Sequence, residues 1–248
     1  MEIAINNDIT ATDPSILNSE QHIQYSDSLN NFLKSWDKDY ADSLKDIPMF
    51  DTSLTSKWSD AQRKFFVKIL YHARGHFHDI LWYMGNFAPN KAAKDIILGN
   101  VVDEFNKNGL SHENLYFIFA KAVGVDLNDE ALEETTYLPF LKEFNKGYLR
   151  WLVAHDWESR LSCFASLERL DKVDYTNSKA IAKSFDLKDK ALVFFNVHIQ
   201  SNHFNPIYSR LLPIWNDASD KIKEAFYFVL VHQSKMWKDL SDAVVNFS

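Results

Sequence analysis

Apolar residues recur every three or four positions along most of the chain, the period of helices that bury one face. Ile23, Leu29, Phe32, Leu33 and Trp36 carry it through 19–43, after a polar arm at 1–18. A capping box at Ser59–Gln62 opens a second run, through Phe65, Ile69, Phe77 and Leu81 to about Phe87. Pro89 stops that run. A third helix spans about 91–107 and ends at Asn108-Gly109, and Ser111 caps a fourth to about Val123. Shorter periodic stretches cover 128–134, 138–155, 156–170 and 178–184, with a loop expected at Asp174–Asn177. A long helix is predicted over about 187–205, and a last one from a cap near Ser219 to Phe247. The pattern predicts an all-α protein with a single helical domain over 19–248.

Composition sharpens this picture. Six Gly and six Pro are few breaks for 248 residues, and 19 Phe, 10 Tyr and seven Trp supply stiff filling between helices. A net charge of −7 argues against nucleic acid or an anionic membrane surface as partner. No apolar run reaches transmembrane length, and the polar, acidic start does not read as a targeting peptide. A lone cysteine, Cys163, rules out an internal disulfide and suits the reducing cytoplasm. The expected partner is a small molecule, and the acidic surface leaves a homodimer open.

Within 187–205 the stretch Val197-His198-Ile199-Gln200-Ser201-Asn202-His203-Phe204-Asn205-Pro206 puts two imidazoles and several amides into apolar, aromatic surroundings. Such groups are costly to bury without partners. Two other places carry potential ligands. Glu104 precedes the break at Asn108-Gly109 and His112 follows it, so the turn can fold them onto one point. Glu168 shares a helix side with Leu161, Phe164 and Leu167. Carboxylates and imidazoles from separate helices are the ligand chemistry of iron and manganese in helical bundles. Each residue also has an ordinary reading, as a solvated helix-end Glu, a surface charge or a core histidine. His72 and His76 share a face, yet no carboxylate follows them at a metal-motif spacing. They and His78 read as structural, and His22, His155 and His232 as surface or locally bonded residues.

Taken in order, Glu104, His112, Glu168 and His198 resemble the ligand series of the haem-oxygenase-like diiron oxidases and oxygenases, the family of the chlamydial death-domain-associating protein. The segment Asp103-Glu104-Phe105-Asn106-Lys107-Asn108-Gly109-Leu110-Ser111-His112 is similar to that family's acidic-Gly-His stretch. The resemblance implies a seven-helix bundle, here with extra short helices, holding two Fe(II) ions that activate O2. It makes Glu104, His112, Glu168 and His198 ligands. Where the family has a further carboxylate and imidazole, this chain has Asn202 and Asn205, which implies a labile second iron. His203 is a substitute donor, some 140° from His198 on a regular helix, if a bulge induced by Pro206 turns it inward; Asn202 is a weaker one. Tyr116, Trp157 and Phe195 are expected to wall a substrate cavity. The implied activity is oxygenation of an amino-acid-like aromatic substrate, in its most specific form conversion of a halogenated tryptophan to an indole-3-carbonitrile. An aminobenzoate synthase that consumes its own tyrosine and a non-catalytic binding protein are the alternatives.

Overall fold

The structure, a computed structural model, describes residues 26–106 and 109–247. The expected arm at 1–18 and the first residues of the first predicted helix lie outside the described residues. The chain forms α1 (Asp27–Leu44), α2 (Thr52–Thr55), α3 (Asp60–Gly75), α4 (Phe77–Asn86), α5 (Lys91–Asn106) and α6 (His112–Ala122). These are followed by α7 (Asn128–Glu133), α8 (Pro139–Ala154), α9 (Trp157–Lys183), α10 (Val193–Gln200) and α11 (Phe204–Val245). Short 3-10 turns sit at Pro48–Phe50 and Asp189–Leu192, and no strand occurs among the described residues. The protein is all-α.

Helix starts follow local chemistry. Ser59 accepts from the Gln62 amide at 3.2 Å while the Gln62 side chain accepts from the Ser59 amide at 3.0 Å, completing the predicted box. Ser111 caps α6 through the Asn114 amide, and Asp156 caps α9 through the Ser159 amide. Helices α9 and α11 pack along each other as the centre of the molecule, with α10 against α9, α1 on α11 and α4 on α5. Phe66, Phe119, Phe164, Phe226 and Trp237 are fully buried in one continuous core. Each such ring contributes roughly 1.5–3 kcal/mol by leaving water.

Three breaks differ from the predicted pattern. The run expected from Ser59 to Phe87 divides at His76 (φ −78, ψ 2), so α4 takes a direction of its own. The loop expected at Asp174–Asn177 is instead the interior of α9. Its polar residues are buried tertiary partners: Asp174 accepts from the Tyr40 hydroxyl at 2.5 Å and from Gln233 Nε2 at 2.8 Å. The helix expected over 187–205 ends at Gln200, with Ser201 extended (φ −61, ψ 144), and α11 begins afresh at Phe204. Pro206 therefore lies in the first turn of α11, where its missing amide hydrogen has no acceptor to lose. The break replaces the expected bulge. The predicted cap near Ser219 corresponds to a kink inside α11, at Ala218 (φ −153, ψ 54).

Candidate metal centre

Glu104 near the end of α5, His112 opening α6 and His198 in α10 converge. One ligand atom from each lies within 4.8 Å of the other two. Glu104 and His198 are buried, at 8% and 6% exposure, and His112 is half-buried. His112 Nδ1 is 3.0 Å from Glu104 Oε2 but out of line for a hydrogen bond. His198 Nε2 is 4.0 Å from Glu104 Oε1. Glu104 thus accepts no in-line hydrogen bond among the described residues and has imidazoles for neighbours.

His198 is set for ligation by its own helix. Its Nδ1 lies 2.8 Å from the Phe194 carbonyl, which accepts the proton there and leaves the Nε2 lone pair toward Glu104. The Tyr175 ring stacks on the imidazole with centroids 3.9 Å apart. Burial pushes the His198 pKa down to about 3, despite the Glu104 charge, so the imidazole is neutral, as a ligand must be. Burial opposes ionisation of Glu104, but His112, His78 and His198 outweigh it and hold the carboxyl well below its usual range. An anionic carboxylate and two imidazoles, one of them with an unbonded buried nitrogen, form a donor set that fits a divalent transition metal.

His203 is not part of this triad. At the start of α11 it bridges two carboxylates, with Nδ1 3.2 Å from Glu168 Oε2 and Nε2 3.3 Å from Asp103 Oδ2. Burial disfavours its charge, but Glu168 and the neighbouring acids raise its pKa to about 9. Burial also raises the pKa of Glu168, against the pull of His203, and the Glu104 charge adds to the rise. Glu168 Oε1 is buried with no hydrogen-bond partner. Asn202 and Asn205 are exposed; Asn202 lines an outer groove with Asp103, His112 and His203.

The triad lines a partly open cavity of about 70 Å³, several times the room one water needs. Tyr116 lines it, with its hydroxyl donating to the Val67 carbonyl at 2.6 Å. Phe195 does not: it is fully buried against Phe119, and its neighbour Phe194 faces the cavity. Trp157 packs half-buried at the start of α9 and is not in the wall. Sequence reasoning missed Arg74, Asp171, Tyr148 and Tyr175 in the wall. Arg74 Nη2 donates to Asp171 Oδ1 at 2.9 Å and Nε donates to the Tyr175 hydroxyl at 3.1 Å. The available signal was an arginine inside an otherwise apolar α3 face and acids spaced at 168, 171 and 174 on one side of α9.

No helix among the described residues is long and apolar enough to cross a membrane. No family model matches the sequence, and no curated protein matches it.

Proposed function

We propose that the protein is a non-haem iron oxygenase of the haem-oxygenase-like diiron type that activates O2 and acts on an amino-acid-like aromatic substrate. The observation that carries this reading is the Glu104, His112 and His198 triad in the wall of an aromatic cavity. Iron held there supplies what side chains lack, reduction of O2 and oxidation of a bound organic molecule. The chain supplies everything else. Glu104, His112 and His198 hold the ion, and the Phe194 carbonyl fixes the His198 tautomer. Tyr116, Tyr148, Tyr175 and Phe194 line the cavity with aromatic surface, the Tyr175 ring lying between His198 and Arg74. Arg74, paired with Asp171 and at 3.6 Å with Asp174, has N–H groups beyond its two hydrogen bonds that a substrate carboxylate would have to share with those acids. Asp171, with one oxygen outside its bond to Arg74, suits an ammonium group. Glu168 and His203 are the remaining donors, and they are engaged with each other, so a second ion binds more weakly.

The aromatic lining suits a planar substrate, such as tryptophan or a halogenated tryptophan turned into a nitrile, and the cavity of about 70 Å³ must widen to admit it. A second reading, consumption of the protein's own tyrosine, draws on Tyr175, whose ring touches His198. Protein loaded anaerobically with ferrous iron is exposed to O2 with and without tryptophan and its ring-halogenated forms. The first reading expects O2 uptake that requires the amino acid and leaves the protein mass unchanged. Uptake without it, with a changed polypeptide mass, supports the second. No iron bound and no O2 uptake overturns both.

A further inference from the structure

The break at His76 aims α4 across α5 and brings His78 to the metal centre. His78 Nε2 lies 3.7 Å from Glu104 Oε2, the oxygen that also faces His112 Nδ1. That is too long for a hydrogen bond, but two ligands about 2.1 Å from a shared ion lie at most about 4.2 Å apart. Neither His78 nitrogen makes a hydrogen bond among the described residues, whereas His72, His155 and His232 each bond a carboxylate or a backbone carbonyl. The Phe105 ring, one residue after Glu104, packs on His78 with centroids 4.5 Å apart and restrains its plane. His78 lines the same cavity as the triad, although it lies outside the set of ligand atoms that are all within 4.8 Å.

We propose that His78 is a fourth protein ligand of the centre, binding through Nε2 beside Glu104. The assignment rests on the metal-dependent reading above and deepens it: the centre becomes one carboxylate with three imidazoles. This fits the other end of the site, where Asn202 and Asn205 are exposed and donate nothing to the triad. A side-chain rotation that brings His78 Nε2 closer to the ligand atoms of His112 and His198 accompanies metal binding.

Cobalt(II) alone is the probe, because its visible absorption reports ligand number and type without turnover. The full chain, His78→Ala, His78→Gln and His198→Ala are titrated anaerobically, with thermal unfolding as the check on folding. Wild type is expected to bind cobalt with a ligand-field spectrum that changes in both His78 variants, with affinity down more than 100-fold. Free imidazole is expected to restore the spectrum of His78→Ala, whose missing ring leaves room for it, but not that of His78→Gln. An affinity loss with an unchanged spectrum makes His78 an outer partner and overturns the assignment. Unchanged binding in the His78 variants, alongside loss in His198→Ala, overturns the assignment and leaves the triad standing. No cobalt binding by wild type overturns the metal-dependent reading and the assignment together.

Discussion

The His72–Glu130 pair and the Glu104 centre take the same side-chain types out of water and treat them in opposite ways. His72 Nε2 is 2.9 Å from Glu130 Oε1, which also accepts the Thr136 amide at 2.6 Å. Glu130 Oε2 accepts the Thr135 hydroxyl at 2.6 Å, and Tyr137 stacks on the imidazole. That carboxylate has partners on both oxygens, and it ties α3 to the turn after α7. Glu104 is also buried, yet among the described residues its partners are ring nitrogens at 3.0, 3.7 and 4.0 Å, with no backbone amide or hydroxyl donating to it. A satisfied carboxylate is a structural element; one surrounded by imidazoles and left without in-line donors is one that could hold an ion.

The comparison breaks most visibly in metal affinity. His198→Ala is expected to weaken cobalt or ferrous binding more than about 100-fold, beyond the range usual for an outer partner. Glu130→Ala leaves it unchanged, and isothermal titration under nitrogen distinguishes the two. Stability reverses the order. Glu130→Ala leaves His72 and the Thr136 amide without their acceptor and costs about 3 kcal/mol in urea unfolding. Glu104→Gln in metal-free protein costs less than that, because it loses the attraction of His112, His78 and His198 to its charge but no in-line hydrogen bond. Adding metal at a hundred times its dissociation constant raises wild-type stability by about 2.7 kcal/mol. The same gain is expected in Glu130→Ala and is absent from Glu104→Ala.

The smallest effect is in acid. Burial opposes ionisation of Glu130, but Thr135, the Thr136 amide and His72 prevail and bring its pKa from 4.5 down to about 2. A carboxyl with a depressed folded pKa contributes stability that is complete above its unfolded value and is lost as pH falls through the folded one. Wild type should therefore lose stability between pH 4.5 and about 2, and Glu130→Gln should flatten that limb in pH-dependent unfolding.

The helices were legible where apolar period and caps agreed, as at Ser59 and Ser111. They were misread where polar residues serve distant partners. Asp174 and Tyr175 look like turn formers in isolation, yet Tyr40, Gln233 and Arg74 draw them into the middle of α9. The meeting of Glu104 with His112 was visible because the Asn108-Gly109 break in the sequence lies between them, and their meeting with His198 only through the order of ligands along the chain. The direction of His203 was not visible, because Pro206 can end one helix or start another, and the tertiary pair with Glu168 decides. Phe194 and Phe195 are indistinguishable in the sequence; one turn of α10 selects the ring that faces the cavity. His78 was set aside with His72 and His76 because the run was read as one helix, although Gly75 directly before the break at His76 was an available signal.

The central claim is that Glu104, His112 and His198 hold an iron ion, and iron retention tests it most directly. Wild type and Glu104→Ala are loaded with ferrous iron without oxygen, desalted, and assayed for metal per chain. The account predicts close to one retained iron in wild type and almost none in Glu104→Ala, with both proteins folded. Wild type that retains no iron, or equal retention in the two, would contradict it.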